Sequence, residues 1–147
     1  MRLKPVSVGL VAAVVVVLDE ILKYFALIRL PEEGSLIGNK IFAVGLHKNF
    51  GIAFNMPMNM TLVIVLTILL GIVFGLIIHR TYKTAPRIAS GSILVLAGAL
   101  GNLFDRIIYG FTVDYLIFFT RSAINLSDVL IVIGIVWLIF GNKKMKV

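Results

Sequence analysis

The chain contains no cysteine and few charged side chains, and both shortages narrow its possible functions. Without cysteine, the protein cannot form disulfides, thiolate metal sites or a cysteine nucleophile. The 147 residues include only two histidines, His47 and His79, and seven acidic side chains. We expect the two histidines to lie on opposite sides of a membrane, which excludes a shared metal site. No metal or other cofactor is expected, and carboxylates become the main candidates for catalysis.

Apolar residues dominate the composition and occur in long runs. They make up 60% of the chain, compared with roughly 45–50% in an ordinary soluble domain. A membrane-spanning helix requires about 20 mostly apolar residues, and we predict helices at about 6–30, 58–78, 88–108 and 123–140. The fourth run is short, so its first turn is expected to begin near Ser122. The sequence thus predicts an all-α membrane protein with four transmembrane helices, forming one domain over residues 1–147.

The net charge of +7 indicates membrane topology rather than a nucleic-acid partner. Basic residues precede the first helix, separate the second from the third and follow the fourth: Arg2, Lys4, Arg80, Lys83, Arg87, Lys143, Lys144 and Lys146. By the positive-inside rule, these three places lie in the cytoplasm together with both termini. Residues 31–57 and 109–124 then face the extracytoplasmic side.

The two extracytoplasmic segments differ in pattern. Residues 31–57 alternate apolar and polar side chains between glycines, which predicts short strands forming a small sheet on the membrane surface. Residues 109–124 are too apolar for a free loop, so we expect an interfacial segment.

Charged residues within the first helix are costly, by roughly 2.5–3.5 kcal/mol each at a helix centre. Asp19 and Lys23 are spaced i, i+4 and share a helix face. Two interpretations stay open: a self-neutralising pair near the helix end, or part of a functional site. Glu20 is expected to point elsewhere and to matter less.

The third helix ends in a second polar group. Asn102, Asp105 and Arg106 are spaced i+3 and i+4, which predicts one polar face. The small residues within 98–101 allow another helix to approach closely. Two glycines of the second helix, Gly71 and Gly75, are given the same packing interpretation.

Two further carboxylates, Asp114 and Asp128, are predicted at the same extracytoplasmic depth. Taken singly, Asn125 is a suitable N-cap of the fourth helix, and Asp128 an acid favoured by that helix terminus. Taken together, two carboxylates in a low-dielectric site share a proton, because both cannot ionise cheaply. One can then activate water while the other protonates a carbonyl, which is general acid–base hydrolysis.

Two other functional classes remain possible from the residues alone. Intramembrane Asp, Lys and Arg also mark ion pathways in transport proteins, although here the acids concentrate toward one membrane face. A non-enzymatic scaffold would use the polar residues only to join helices. A scaffold predicts that Asp114→Asn leaves function intact, whereas a peptidase predicts loss of cleavage.

Motifs over residues 19–134 resemble the bacterial lipoprotein signal peptidase (signal peptidase II) family. They are Asp19-x-x-x-Lys23, residues 49–54 (NFGIAF), residues 98–106 (GALGNLFDR), residues 113–115 (VDY) and Asn125-x-x-Asp128. The motif at 98–106 followed by Asp114 is highly specific. The family pattern differs here at Ile52, Ile124, Ser127 and Val129. These departures leave every acid and amide in place, and Ser127 can add a hydrogen bond beside the catalytic acid.

The resemblance implies an intramembrane aspartic peptidase with an extracytoplasmic β-cradle. Such enzymes remove the signal peptide of prolipoproteins before a diacylglyceryl-modified cysteine, at the outer face of the cytoplasmic membrane. The catalytic pair falls on Asp114 and Asp128, and Asp105 is assigned a structural role. The implied site-supporting or substrate-binding residues are Asp19, Lys23, Asn49, Gly51, Phe54, Asn102, Arg106 and Asn125. Partners are the lipidated substrate and membrane lipid, and a monomer is expected.

Overall fold

Four helices account for most of the chain, in a computed structural model that describes residues 4–31, 37–39, 41–52, 56–119 and 122–140. They are α1 (Pro5–Arg29), α2 (Met60–Thr81), α3 (Pro86–Tyr109) and α4 (Leu126–Phe140). The first three are long and apolar enough to cross a membrane, and α4 is a shorter apolar helix of 15 residues. A mostly helical membrane protein with a small sheet was predicted and is found.

The helix ends follow from local sequence. Pro5 and Pro86 begin α1 and α3, where the fixed proline φ suits the first helical position and the missing N–H is not needed. The Asn59 side chain accepts a hydrogen bond from the Leu62 N–H at the start of α2. Gly110 ends α3 in the left-handed region, with φ of 76°, which glycine adopts without steric cost.

The fourth helix begins later than predicted. Residues Ser122–Ile124 form a strand, and α4 therefore begins only at Leu126. Asn125 and Asp128 form a reciprocal cap there. The Asn125 Oδ1 accepts from the Asp128 N–H at 2.9 Å, and the Asp128 Oδ2 accepts from the Asn125 N–H at 3.3 Å. The N-cap interpretation of Asn125 is therefore confirmed.

Helix α3 packs against each of the other three helices and is the most buried. Helix α2 shows the opposite pattern, because Val63 is its one buried residue. Its exposed large apolar side chains are leucine, isoleucine and valine, as on a surface that faces lipid. The polar side chains instead lie between the helices, where hydrogen-bond partners replace water.

Close helix packing distinguishes the glycines of α3 from those of α2. A Cβ added to Gly98 would collide with the Ser127 backbone oxygen, so α4 can lie this close only to glycine. In contrast, a Cβ on Gly75 would meet no atom within 4 Å, and one on Gly71 would make an ordinary contact. The close-packing prediction is confirmed for α3 and is wrong for Gly71 and Gly75.

Six strands accompany the helices within the described ranges. They are β1 (Ile37–Gly38), β2 (Phe42–Asn49), β3 (Gly51–Ile52), β4 (Met56–Pro57), β5 (Thr112–Phe118) and β6 (Ser122–Ile124). An antiparallel sheet has the order β1-β2-β5-β6, and β3 pairs with β4. The predicted interfacial segment thus supplies the inner strand β5 and the edge strand β6. Because β5 follows α3 and β6 precedes α4, the sheet lies where these helices meet.

Candidate active site

Asn125 connects the two predicted catalytic aspartates. Its Nδ2 donates to the Asp114 Oδ1 at 2.7 Å, and its backbone N–H donates to the Asp128 Oδ2 at 3.3 Å. Asp114 is 1% exposed, and Asn125 is fully buried. The structure therefore brings the two aspartates into one hydrogen-bonded cluster, at the junction of β5 and α4.

Helix α3 contributes Asn102 to this cluster. The Asn102 Nδ2 donates to the Asp128 Oδ1 at 2.7 Å, and its Oδ1 accepts from the Asn125 Nδ2 at 3.0 Å. Both oxygens of Asp128 are thus held by amide donors, one from α3 and one from its own cap. This arrangement fixes the orientation of the carboxylate before any substrate binds.

Strand β2 contributes Asn49, whose Nδ2 donates to the Asp114 Oδ2 at 3.1 Å. The pairing of β2 with β5 shifts by one residue between Val44 and His47. Cα partners in an antiparallel pair point to the same face, so the shift aligns His47 with Asp114 and Asn49 with Thr112. Without the register shift, the residues next to His47 and Asn49 in the sequence would lie on the face of the sheet that carries Asp114.

Gly51, two residues after Asn49, also has a defined contact. The Gly51 N–H donates to the Asn49 Oδ1 at 3.0 Å, which orients the Asn49 side chain. Phe54, the remaining predicted residue of this segment, lies outside the described residues.

A buried ionic cluster lies beside the aspartates. The Lys23 Nζ contacts the Asp19 Oδ2 and the Asp105 Oδ2, each at 2.9 Å, and all three side chains are at most 1% exposed. The Asp105 Oδ2 also accepts from the Val113 N–H at 3.1 Å, which attaches α3 to β5. Glu20 was expected to point elsewhere, but its Oε1 lies 3.2 Å from Lys23. That expectation was wrong, because the lysine reaches back along α1 to residues three and four positions earlier.

Asp19 also holds the beginning of α4. Its Oδ1 accepts from the Leu126 N–H at 2.9 Å and from the Tyr115 hydroxyl at 2.8 Å. Its Oδ2 accepts from the Ser127 hydroxyl at 2.6 Å and from the Ser127 N–H at 3.3 Å. A carboxylate satisfies the unpaired N–H groups of a buried helix start and is favoured by the helix dipole. Asp19 thereby positions the helix that carries Asp128.

Two neighbours of the predicted pair have defined contacts. Ser127 adds the expected hydrogen bond, and the acceptor is Asp19. Tyr115, which belongs to the predicted interfacial segment, is 4% exposed and packs with Ala26, Leu46 and Val113. The strand alternates its side chains between two faces, so only part of this apolar segment faces outward.

A cavity of about 690 Å³ opens beside the cluster, between α2, α3, α4 and the sheet. Its polar end is lined by His47, Asn49, Asn102, Arg106, Thr112 and Asp128. Its remaining walls are mainly apolar, from residues such as Leu70, Phe74 and Ile135. Asp114 does not line the cavity itself. Asn49 lines the cavity and donates a hydrogen bond to Asp114. The polar face predicted on α3 is therefore divided, because Asn102 and Arg106 face the cavity while Asp105 faces Lys23.

Burial changes the acidity of Asp114. Desolvation, followed by the negative charge of Asp128, raises the pKa of Asp114 from 3.8 to about 7, against the hydrogen bonds from Asn49 and Asn125 that lower it. A carboxyl with this pKa carries a proton in part of the molecules at neutral pH. Across the described ranges, no group of three or more His, Asp or Glu side chains is arranged to hold a metal ion.

Two residues at the polar end of the cavity, His47 and Thr112, were not predicted from the sequence as site residues. Both reach the cavity because of the register of β2 and β5, which depends on contacts between distant parts of the chain. Local sequence motifs identified Asp114 and Asp128 individually as candidate residues, and their catalytic roles remain predictions.

Comparisons with known proteins agree with this architecture. A family model described as signal peptidase (SPase) II matches residues 11–142. The lipoprotein signal peptidase of Sinorhizobium fredii is 31% identical, over 89% of this chain and 82% of that protein. The lipoprotein signal peptidase of Thermodesulfovibrio yellowstonii is 30% identical, over 98% of this chain and 99% of that protein.

A solved structure extends the similarity to the fold. A bacterial membrane enzyme determined by the in meso method at 2.3 Å resolution superposes with a TM-score of 0.80 and 26% identity. The match covers 96% of this chain and 93% of that one. Since the family model, the full-length relatives and this fold all coincide, the chain belongs to the signal peptidase II family of membrane peptidases.

Proposed function

We propose that the protein is an intramembrane aspartic endopeptidase that removes the signal peptide of prolipoproteins. It cleaves before a cysteine that carries diacylglyceryl, with Asp114 and Asp128 as the catalytic pair. The observation that carries the proposal is the link from Asp114 through Asn125 to Asp128, at the polar end of a cavity with apolar walls. Family membership and the names of the relatives support the substrate class.

The chemistry requires one proton on the carboxylate pair. One carboxylate takes a proton from water as the hydroxyl adds to the scissile carbonyl carbon, and the other donates its proton to the carbonyl oxygen. The tetrahedral intermediate then collapses as a proton passes to the leaving nitrogen, giving a carboxylic acid and an amine. The raised pKa of Asp114 supports this mechanism, because a proton is available near neutral pH. The pair titrates as a unit, and no metal participates.

The shape of the cavity supports a substrate with an apolar part and an exposed peptide bond. Side chains of α2, α3 and α4 form the apolar walls, which suit a signal peptide and acyl chains within the membrane. Asn49, Asn102 and Arg106 lie at the polar end with Asp128, where the peptide bond would be cut. The two glycine-containing strand segments around Asn49 would hold an extended stretch of the substrate.

The proposed orientation follows from charge and from the sheet. With four spans across the inner membrane of a bacterium, both termini would lie in the cytoplasm, and the sheet would form a β-cradle on the extracytoplasmic side. Helix α4 has 15 described residues, most of them apolar, so its capped start would lie slightly below the outer membrane surface. The catalytic pair would share that depth, where the scissile bond of a translocated precursor is presented. The protein would act as a monomer.

Cleavage of a defined lipopeptide tests the proposal. The purified protein is incubated in detergent with a diacylglyceryl-modified precursor peptide, with and without a chelator, and products are identified by mass spectrometry. We expect cleavage before the lipidated cysteine in both samples. Asp114→Asn and Asp128→Asn should each abolish cleavage while the variants elute as folded protein. Glu20→Gln, a matched carboxyl-to-amide change outside the pair, should retain activity.

Three outcomes would overturn the proposal. Loss of cleavage with the chelator would refute metal-free chemistry. Full activity of Asp114→Asn would support a structural role for the polar residues instead. If wild-type protein leaves both the lipid-modified and the unmodified precursor intact, the proposed substrate class is refuted.

A further inference from the structure

The end of the sheet where β2 begins and β5 ends exposes a group of large apolar side chains. Ile37, Ile41 and Phe119 are 60%, 64% and 69% exposed, and Phe42 is 43% exposed. The Phe42 ring packs edge to face against the Phe118 ring, with 5.4 Å between the ring centroids. Single exposed apolar residues are common on protein surfaces, whereas a contiguous group indicates contact with a membrane or a partner. These five residues form the sheet tip.

Local hydrogen bonds hold the sheet tip in this arrangement. The Asn39 Oδ1 accepts from the Ile41 N–H at 2.8 Å and from the Phe42 N–H at 2.9 Å, which closes the turn between β1 and β2. The Phe119 N–H donates to the Ile41 carbonyl oxygen at 3.0 Å, which joins the two segments. Phe119 has a φ of 51°, in the left-handed region that is sterically unfavourable for a bulky residue. The fold thus accepts a strained backbone at a position that exposes an aromatic ring.

The strand register places three side chains of the sheet tip on the face that carries Asp114. Cα partners in an antiparallel pair point to the same face. Phe42 is the partner of Phe118, and Ile37 is the partner of Val44, two residues after Phe42. Side chains alternate along β5, so Phe118 and Asp114 lie on the same face. The face beside the cavity therefore continues outward as an apolar surface.

This apolar surface begins at the edge of the cavity between the helices. Phe118 pairs with Ser122, and Ser122 lines the cavity together with Leu70 of α2 and Val132 of α4, both of which are exposed apolar side chains. Strand β6 has three residues, so about 10–15 Å separate Phe118 from the start of α4. The sheet tip is therefore continuous with the apolar surface of the spanning helices.

The charges of the two segments suit phospholipid headgroups. In the sequence, residues 37–43 and 116–124 include two basic residues and no acidic residue. Basic side chains near a membrane surface are attracted to anionic lipids, and aromatic rings are enriched at the boundary between headgroups and acyl chains. Apolar, aromatic and basic residues thus occur together at one end of the sheet.

We propose that the sheet tip inserts into the interfacial layer of the phospholipid bilayer. The Phe42, Phe118 and Phe119 rings and the two isoleucines lie among the upper parts of the acyl chains, below the headgroups. The insertion anchors the sheet to the membrane at a place separate from the four helices. This inference concerns the position of the sheet and does not depend on the cleavage reaction.

Tryptophan fluorescence in vesicles tests the insertion. The chain has one tryptophan, Trp137, so Trp137→Phe gives a background into which Phe119→Trp introduces a single reporter. In vesicles of phosphatidylcholine and phosphatidylglycerol, lipids brominated in the upper part of the acyl chains should lower its emission about twofold or more. Lipids brominated near the chain ends should quench it less. Leu69→Trp, at an exposed position near the middle of α2, is the control and should show the reverse order.

Phe42→Trp in the same background repeats the measurement at a second position of the sheet tip and should give the same order of quenching. Emission at both positions that brominated lipid leaves unchanged, with quenching intact in Leu69→Trp, would overturn the inference. Unquenched emission together with crosslinking between copies through the sheet tip would also overturn it, in favour of a contact with a second copy of the chain.

Anchoring has a consequence for activity, and this consequence rests on the proposed function. Strand β2 carries Asn49 and β5 carries Asp114, so an anchored sheet tip holds both residues at one depth. Ile41→Ser should lower kcat/KM for the lipopeptide about threefold in vesicles and leave it unchanged in detergent, where no bilayer fixes this depth. An equal loss in both media would refute the link between anchoring and activity. A lipopeptide left intact by wild-type protein would refute the proposed function and leave the quenching result standing.

Discussion

Replacing Asp114 by asparagine should change the stability relative to wild type, and this change should be more favourable at neutral and alkaline pH than at acidic pH. Burial and the charge of Asp128 raise the pKa of Asp114 from 3.8 to about 7. The folded state therefore binds this proton more tightly than the unfolded state. The associated stability is fully present below about pH 3.8 and is lost as the pH rises through about 7. Asparagine remains neutral over this range and does not suffer the loss.

The size of the effect follows from the shift. Each pKa unit corresponds to about 1.36 kcal/mol, so a shift of roughly 3 units corresponds to about 4 kcal/mol. Asparagine also presents an NH2 group to donors on Asn49 and Asn125, which costs about 1–3 kcal/mol. That cost does not depend on pH. It therefore cancels when the variant is compared with wild type at two pH values.

Thermal unfolding in detergent measures the difference. We expect the melting temperature of Asp114→Asn minus that of wild type to increase between pH 4.5 and pH 8, by on the order of 10 °C. Thr81→Val, which changes no ionisable group, should follow the wild-type pH dependence. A difference that stays constant from pH 4.5 to pH 8, or that falls, would refute the burial argument for Asp114.

Two further predictions concern the position of α4. Gly98→Ala should lower the melting temperature and reduce cleavage more than tenfold, because the added Cβ collides with the Ser127 backbone oxygen and displaces the helix that carries the second aspartate; Gly75→Ala, with no atom within 4 Å, is the control and should leave thermal unfolding and cleavage near wild type. Ser127→Ala should cost about 2 kcal/mol of stability in unfolding measurements, since it removes a hydrogen bond of 2.6 Å to Asp19. Equal effects of the two glycine changes would argue against close packing, and an unaltered Ser127→Ala protein would argue against the Asp19 contact.

The helices were predictable to different degrees. Long apolar runs identified α1, α2 and α3 because hydropathy depends on composition over about 20 residues and not on distant contacts. The start of α4 was missed, because Ser122–Ile124 pairs with β5. Its apolar composition did not distinguish a strand from a first helical turn. The same ambiguity led to residues 109–124 being predicted as an interfacial segment, although residues 112–118 form an inner strand of the sheet.

The sequence by itself determined the membrane class, the family motifs and the identity of the carboxylates at 114 and 128. These properties depend on composition and on short spacings within single segments. Only the tertiary structure decided that Asp19 holds the start of α4, and that a one-residue register shift aligns Asn49 with Thr112. Both arrangements join residues more than 60 positions apart. Such contacts are selected by the packing of the whole fold, because no local pattern encodes which distant N–H or carboxylate will be within reach.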